Sequence, residues 1–368
     1  MPKVLKLDKG AEEGLREFFR FLLESGKVKG VFTLARMGKQ GPVGYALMTD
    51  PDALEEAVPL YPLMPANMGK QLARVTLEEA AGEPVAAMLR PCELRAFVEL
   101  VKRSQGSPDN FLLISSTCGG VYPLKTATDD GYIEGKLPQY WGAVKKSENP
   151  SDLRPACASC EHFVPYTADM TLNLIGNKDL DTQCEISLNT RKAEEFAEAF
   201  QGGLQGQQES GAESAKALLD KRRAQKAKLL DELAPDGLNM ATVFSQCIGC
   251  HGCSKACPIC YCRLCFFETD AAEDLPPYDE MELAEIGRTR VPSDNVFYHL
   301  VRLFHVSVSC VGCGQCADVC PADIPVSLVS LKTSGAVQEA FDYLPGRDPE
   351  EEIPLAAAFR PEEFTESE

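Results

Sequence analysis

The sequence predicts an α+β (α/β) domain followed by a smaller α-helical domain. Three observations carry this. Apolar strand-like runs alternate with amphipathic helical stretches over residues 1–190, a charged stretch rich in Ala, Glu, Lys and Gln fills 191–240, and two cysteine runs of identical spacing lie within 241–335. A Pro- and Glu-rich tail, 336–368, has little to pack and is expected to order against a partner.

Each element has its own signal. Leu15, Phe18, Phe19, Leu22 and Leu23 fall on one helical stripe between Gly14 and Ser25, and Gly30 to Leu34 then reads as a strand. Pro84 to Leu89 is a second apolar run, Pro91 to Val101 suits a helix, and Phe111 to Ser115 is a third strand. Gly38 to Gly44, GKQGPVG, reads as a hairpin turn, because a phosphate cradle would end in Gly-Lys-Ser/Thr. Glu213 to Leu233 forms one charged helix linking the two domains. Leu283 to Arg288 and Asn295 to Phe304 carry helical periodicity between the cysteine runs.

Cys247, Cys250, Cys253 and Cys257, followed by Pro258, repeat the spacing of Cys310, Cys313, Cys316 and Cys320, followed by Pro321. Three thiolates two residues apart wrap one corner of an iron–sulfur cubane, and the fourth, backed by proline, turns away to the other cluster. The expected sets are therefore crossed: Cys247, Cys250, Cys253 and Cys320 hold one [4Fe–4S] cluster, and Cys310, Cys313, Cys316 and Cys257 the second. Zinc is the competing reading, but zinc knuckles use paired C-x-x-C units rather than two four-cysteine runs ending in C-P. The 52 residues between the runs exceed the compact bacterial ferredoxin repeat, so the module resembles the α-helical ferredoxin domain of respiratory iron–sulfur subunits.

Sixteen cysteines clustered at metal spacing in 368 residues argue for reduced, metal-bound thiols and a cytoplasmic protein. Met1 to Gly10 lacks the apolar core of a signal peptide, and no window offers the roughly 18 apolar residues of a membrane span. A net charge of −18 excludes nucleic acid as a partner class. The four histidines, His162, His251, His299 and His305, show no ligand spacing and read as structural, with His251 inside the first cluster loop.

Eight cysteines lie outside the two runs. Cys157 and Cys160 form a C-x-x-C in RPACASC, Cys118 precedes Gly119-Gly120, and Cys92 follows Pro91 at the end of a predicted strand, a usual place for functional groups. The segments LRPCELRAFVEL, ISSTCGG and RPACASCEHFVPYTADMTLNLIG, followed by the charged helix, resemble the coenzyme F420 hydrogenase/dehydrogenase beta-subunit family in the same order. With the appended ferredoxin module and the FDYLPGRDPEEEIP tail, the chain is similar to the formate dehydrogenase type of beta subunit within it.

The resemblance implies a flavin domain that binds FAD beside a proximal [4Fe–4S] cluster held by Cys92, Cys118, Cys157 and Cys160. It implies an oxidoreductase subunit passing electrons between F420 and a partner such as a formate dehydrogenase, hydrogenase or heterodisulfide reductase. The family's glycine-rich flavin segment is only loosely matched, around Gly26 to Gly30. In Pro62 to Arg74, Asn67 and Lys70 are flavin-facing candidates by position; a capped helix start is the competing reading. No nicotinamide fingerprint follows a strand, yet a nicotinamide carrier and a pure electron-transfer adaptor both stay open. Cys184, Cys260, Cys262 and Cys265 remain, and are either the ligands of a fourth cluster or a packed cysteine-rich loop.

Overall fold

A computed structural model describes residues 3–38, 41–128, 131–200, 204–206, 211–262, 265–269, 276–288 and 295–354. Its centre is an eight-stranded sheet of β1 (Lys3–Leu7), β2 (Gly30–Arg36), β3 (Val43–Met48), β4 (Val85–Leu89), β5 (Phe111–Ser116), β6 (Met170–Leu172), β7 (Cys184–Leu188) and β8 (Leu204–Gly206), in the spatial order β3-β2-β4-β5-β6-β7-β1-β8. Strands β2, β4, β5 and β6 run parallel, while β3 and β7 pair antiparallel with their neighbours and β1 lies antiparallel between β7 and β8. Such a mixed sheet with helices on both faces is an α+β architecture.

The central strands are buried on both faces, and the period of two decides which side chain goes where. Ala86, Met88, Leu112 and Ile114 face a core shared with Leu15, Phe18, Phe19 and Leu22 of α1 (Ala11–Glu24). Ala87, Leu89, Phe111 and Leu113 face the other side, against α2 (Met68–Val75) and α3 (Pro91–Val101). The remaining sheet-side helices are α4 (Tyr132–Lys145), α5 (Pro155–Ala158) and α6 (Arg191–Ala197). The sequence assigns the sheet domain to residues up to 190, but β8 carries it to Gly206, because the N-terminal β1 needs a partner on its outer edge. Strands β2 and β3 form the expected hairpin; positions 39 and 40 lie outside the described residues.

Helix α7 (Gly211–Leu233) leads to α8 (Met240–Val243), α9 (Gly252–Ala256), α10 (Pro276–Ile286), α11 (Asn295–Val306), α12 (Gln315–Asp318) and α13 (Val326–Ala340). These helices enclose a third core of Phe244, Phe267, Tyr298, Leu303, Ile324 and Val329 with Cys253 and Cys316. The charged α7 is more than a link: Leu218 and Arg222 are buried against the sheet domain.

The tail departs from its expectation up to Pro354. Tyr343 and Ile353 are buried, and the segment folds back over α3, where Arg95 Nε donates to the Pro345 carbonyl at 2.8 Å and the Gly346 N–H donates to Glu99 Oε1 at 2.9 Å. Residues 355–368 lie outside the described residues. Among the described residues, no helix is long and apolar enough to cross a membrane.

Three thiol-lined cavities and the seam between the lobes

The first constellation forms where the parallel strands end. Cys92 is the second residue of α3 just after β4, Cys118 follows β5, Cys157 lies in α5 and Cys160 just beyond it. All four line one cavity with Arg90, Arg154, Arg222 and Gly120. Gly120 has φ 104°, and a Cβ there would stand 3.1 Å from that of Cys157, so glycine alone lets the Cys118 loop close on α5. The Gly120 N–H also donates to Cys118 Sγ at 3.4 Å.

The ferredoxin-like runs fold so that each contributes to both of two further cavities. Cys247, Cys250, Cys253 and Cys320 line one, together with His299 and Tyr298. Cys257, Cys310, Cys313 and Cys316 line the other, together with Arg302. Proline after Cys257 and Cys320 ends the short helices α9 and the turn after α12, sending each fourth cysteine toward the opposite cavity.

These sites adjoin one another in a row. Cys313 lines both its own cavity and that of Cys92, Cys118, Cys157 and Cys160. Arg154, buried between them, donates from Nε to Cys157 Sγ at 3.3 Å and pairs through Nη1 with Asp318 at 2.5 Å. Gly314, at φ 80°, packs against α5 so closely that a Cβ would lie 2.7 Å from that of Ala156. Gln315 Nε2 donates to the Met64 carbonyl at 2.7 Å and closes the same seam.

The thiols sit in surroundings that disfavour their free anions. Burial pushes Cys92, Cys118, Cys160 and Cys310 up, and Cys316 to about 12. Cys257 moves the other way, held down by a hydrogen bond from Cys260, whose own thiol is raised by that bond. Such groups become ligands when a metal takes the place of the proton. The polar groups around them point to an anionic occupant. Arg302 is 5% exposed and donates to the Cys253 carbonyl, but its Nε and Nη1 are buried with no hydrogen-bond partner. His299 Nε2 and the Tyr298 hydroxyl lie 3.5 Å from Cys247 Sγ and Cys253 Sγ.

Other sequence candidates take different places. Asn67 caps α2, its Oδ1 accepting from the Lys70 N–H at 3.2 Å. Lys70 Nζ donates to the carbonyls of Lys255, Cys257 and Cys260 at 2.8, 2.7 and 3.3 Å, so it tethers the cysteine-rich loop to the sheet domain. Asn67 therefore caps a helix while its Nδ2 stays buried without a partner, and Lys70 also lines the seam cavity. Cys184 is fully buried in β7 within the first core, separate from the cavity lined by Cys260, Cys262 and Cys265, so these four do not form one set. That cavity, about 820 Å³ on the seam, is also lined by Lys70, Arg74, Lys255, Tyr261, Tyr298 and Arg302. Arg154, Arg222, Arg302 and His299 carry no sequence signal of their own, because only tertiary packing brings them to the thiols.

No family model matches the chain. The F420-dependent formate dehydrogenase subunit beta of Methanocaldococcus jannaschii is 30% identical over 363 residues, covering 90% of each chain. The F420-dependent formate dehydrogenase 1 subunit beta of Methanococcus maripaludis is 27% identical, covering 94% of this chain and 93% of that one. A chain of the F420-reducing [NiFe] hydrogenase complex from Methanosarcina barkeri superposes with a TM-score of 0.44 at 16% identity, over 65% of this chain and 94% of that one. By its formate dehydrogenase relatives the chain is a redox subunit of an oxidoreductase. It belongs to the coenzyme F420 hydrogenase/dehydrogenase beta-subunit family, of the formate dehydrogenase beta-subunit type.

Proposed function

We propose that the chain is an iron–sulfur electron-transfer subunit carrying three [4Fe–4S] clusters. Their ligands are Cys92, Cys118, Cys157 and Cys160; Cys257, Cys310, Cys313 and Cys316; and Cys247, Cys250, Cys253 and Cys320. The observation that carries this reading is the row of three four-thiol cavities, with Cys313 lining two of them. Each cluster, when bound, exchanges single electrons. The protein's part is to bury the sites, aim N–H and O–H donors at sulfur and fix the spacing.

In this reading the electrons pass between an F420-type hydride carrier and a partner subunit of formate dehydrogenase type, with hydrogenase and heterodisulfide reductase as alternative partners. FAD, which exchanges hydrides and single electrons, fits the seam cavity by volume. Arg74 and Lys255 would face its phosphates and Tyr261 its ring. Lys70 Nζ, taken up by three carbonyls, favours a second reading, an adaptor without its own soluble substrate.

Two measurements test these assignments on the anaerobically reconstituted chain. About 12 iron atoms per chain are expected, and about 8 would remove the Cys92 set. Flavin bleaching by reduced F420 is expected if the chain is the carrier's reductase; bleaching by NADH or NADPH alone would re-target it. Bound flavin that none of them bleaches, or no bound flavin, leaves the adaptor.

A further inference from the structure

We propose that two buried arginines without carboxylate partners, Arg222 and Arg302, hold the two inner cluster sites at a higher reduction potential than the outer one, so that electrons in the chain settle toward the sheet. This rests on the three-cluster reading above. Adding an electron to a cluster adds negative charge, and an unscreened cation nearby favours that state. Which site keeps such a cation is therefore what ranks them.

Several cations near the inner sites are neutralised where they stand. Arg154 pairs with Asp318 at 2.5 Å, and Arg90 lies 3.7 Å from Glu93, which is itself fully buried. Arg222 is different. It is 1% exposed, lines the Cys92, Cys118, Cys157 and Cys160 cavity, and donates only to neutral oxygens: Asn149 Oδ1 at 2.9 Å and the carbonyls of Cys118 and Gly119 at 3.3 and 2.9 Å. Arg302 lines the Cys257, Cys310, Cys313 and Cys316 cavity, where its Nε and Nη1 have no partner, while its Nη2 is taken up by the carbonyl of the outer-site Cys253 at 3.4 Å. Among the described residues, no carboxylate forms an ion pair with either.

The outer site, Cys247, Cys250, Cys253 and Cys320, has no arginine or lysine in its lining. The acidic groups beside it are already paired: Asp318 with Arg154, Asp323 with Lys125 at 2.9 Å, and Glu268 with His251 at 3.4 Å and Lys255 at 3.5 Å. Water opposes the ranking, since Cys250 is exposed and hydration also favours the reduced cluster. One hydrated ligand is a weaker influence than a whole charge held inside the protein beyond the reach of counter-ions.

The test is an anaerobic reductive titration of the reconstituted chain followed by electron paramagnetic resonance. Cys250→Ala and Cys92→Ala identify the outer and innermost signals by their loss. The outer signal is expected last as the potential falls, its reduced-to-oxidised ratio at least tenfold below either inner one at a common potential, or 59 mV for one electron. Arg222→Gln and Arg302→Gln should each move the adjoining inner signal down by a comparable factor with iron content unchanged, and the Lys variants should restore it in part. An outer signal that appears first or together with the inner ones overturns the proposal, as do inner midpoints unmoved by both Gln variants. If one Gln variant does not fold, the other and the unmodified chain's own order still decide. Absence of iron and of any cluster signal sinks the underlying cluster reading instead.

Discussion

Cys184 shows how a single side chain separates counting from chemistry. It opens β7, beyond the reach of β6, where Leu7 is its cross-strand partner and Ile186 and Leu188 share its apolar side. A fourth site needed it only because four cysteines were left over. Replacing it with Ala should leave iron per chain unchanged, and a loss of about four iron atoms would reinstate it as a ligand. Burial raises its thiol from 9.0 to about 12. The folded chain therefore keeps a proton that the unfolded chain loses above 9.0, so stability is full below that pH and falls as pH climbs toward 12. The slope is on the order of 1.4 kcal/mol per unit, seen as a falling denaturation midpoint that Cys184→Ala makes shallower.

At the scale of elements, α2 joins the two lobes through one charge. Lys70 reaches from its first turn to three carbonyls around the end of α9, and burial lowers its ammonium pKa. Lys70→Met keeps the stem but leaves those carbonyls without their donor. The expected cost is about 1.5–3 kcal/mol, read from thermal unfolding, with faster iron loss from the Cys257 site on exposure to chelator. Unchanged unfolding and iron loss would mean that water replaces the ammonium without penalty.

Which elements were legible in the sequence follows from where their information lies. Helix α3 matches its expected span, Pro91–Val101, because proline at its first position and an apolar periodicity are local signals. Strands β1 and β8 were not legible: Lys3–Leu7 sets Lys3 and Lys6 three apart among apolar residues, with no period of two, and only pairing across the chain makes it a strand. The cysteine spacing predicts which thiols share each of the two cavities, because it is a local pattern. It was silent on Arg222 and Arg302, whose meaning depends on the absence of a carboxylate in a fold not yet formed.

For the whole molecule, the return of 341–354 over α3 closes the chain on itself. Glu99, fully buried, accepts from the Tyr343 hydroxyl and the Gly346 N–H and lies 3.6 and 3.2 Å from Lys102 and Arg103. Arg103 in turn donates to Ser309 Oγ at 2.7 Å, beside Cys310. Glu99→Ala strands two cations and a phenol at the seam, and should destabilise by about 3–5 kcal/mol. Differential scanning calorimetry should then show two transitions where the unmodified chain gives one. A single transition at an unchanged temperature would show that the return segment is ornamental.

Gly314 adds a consequence of another kind. Electron tunnelling weakens steeply with the gap between donor and acceptor, so two lobes that breathed against each other would transmit electrons in bursts. At Gly314 the ferredoxin loop lies against α5 with no room for a single methyl group, and the loop carrying Cys313 cannot drift from that carrying Cys157 without opening this contact. Transfer between them would then keep a steady pace as the solvent-facing parts move.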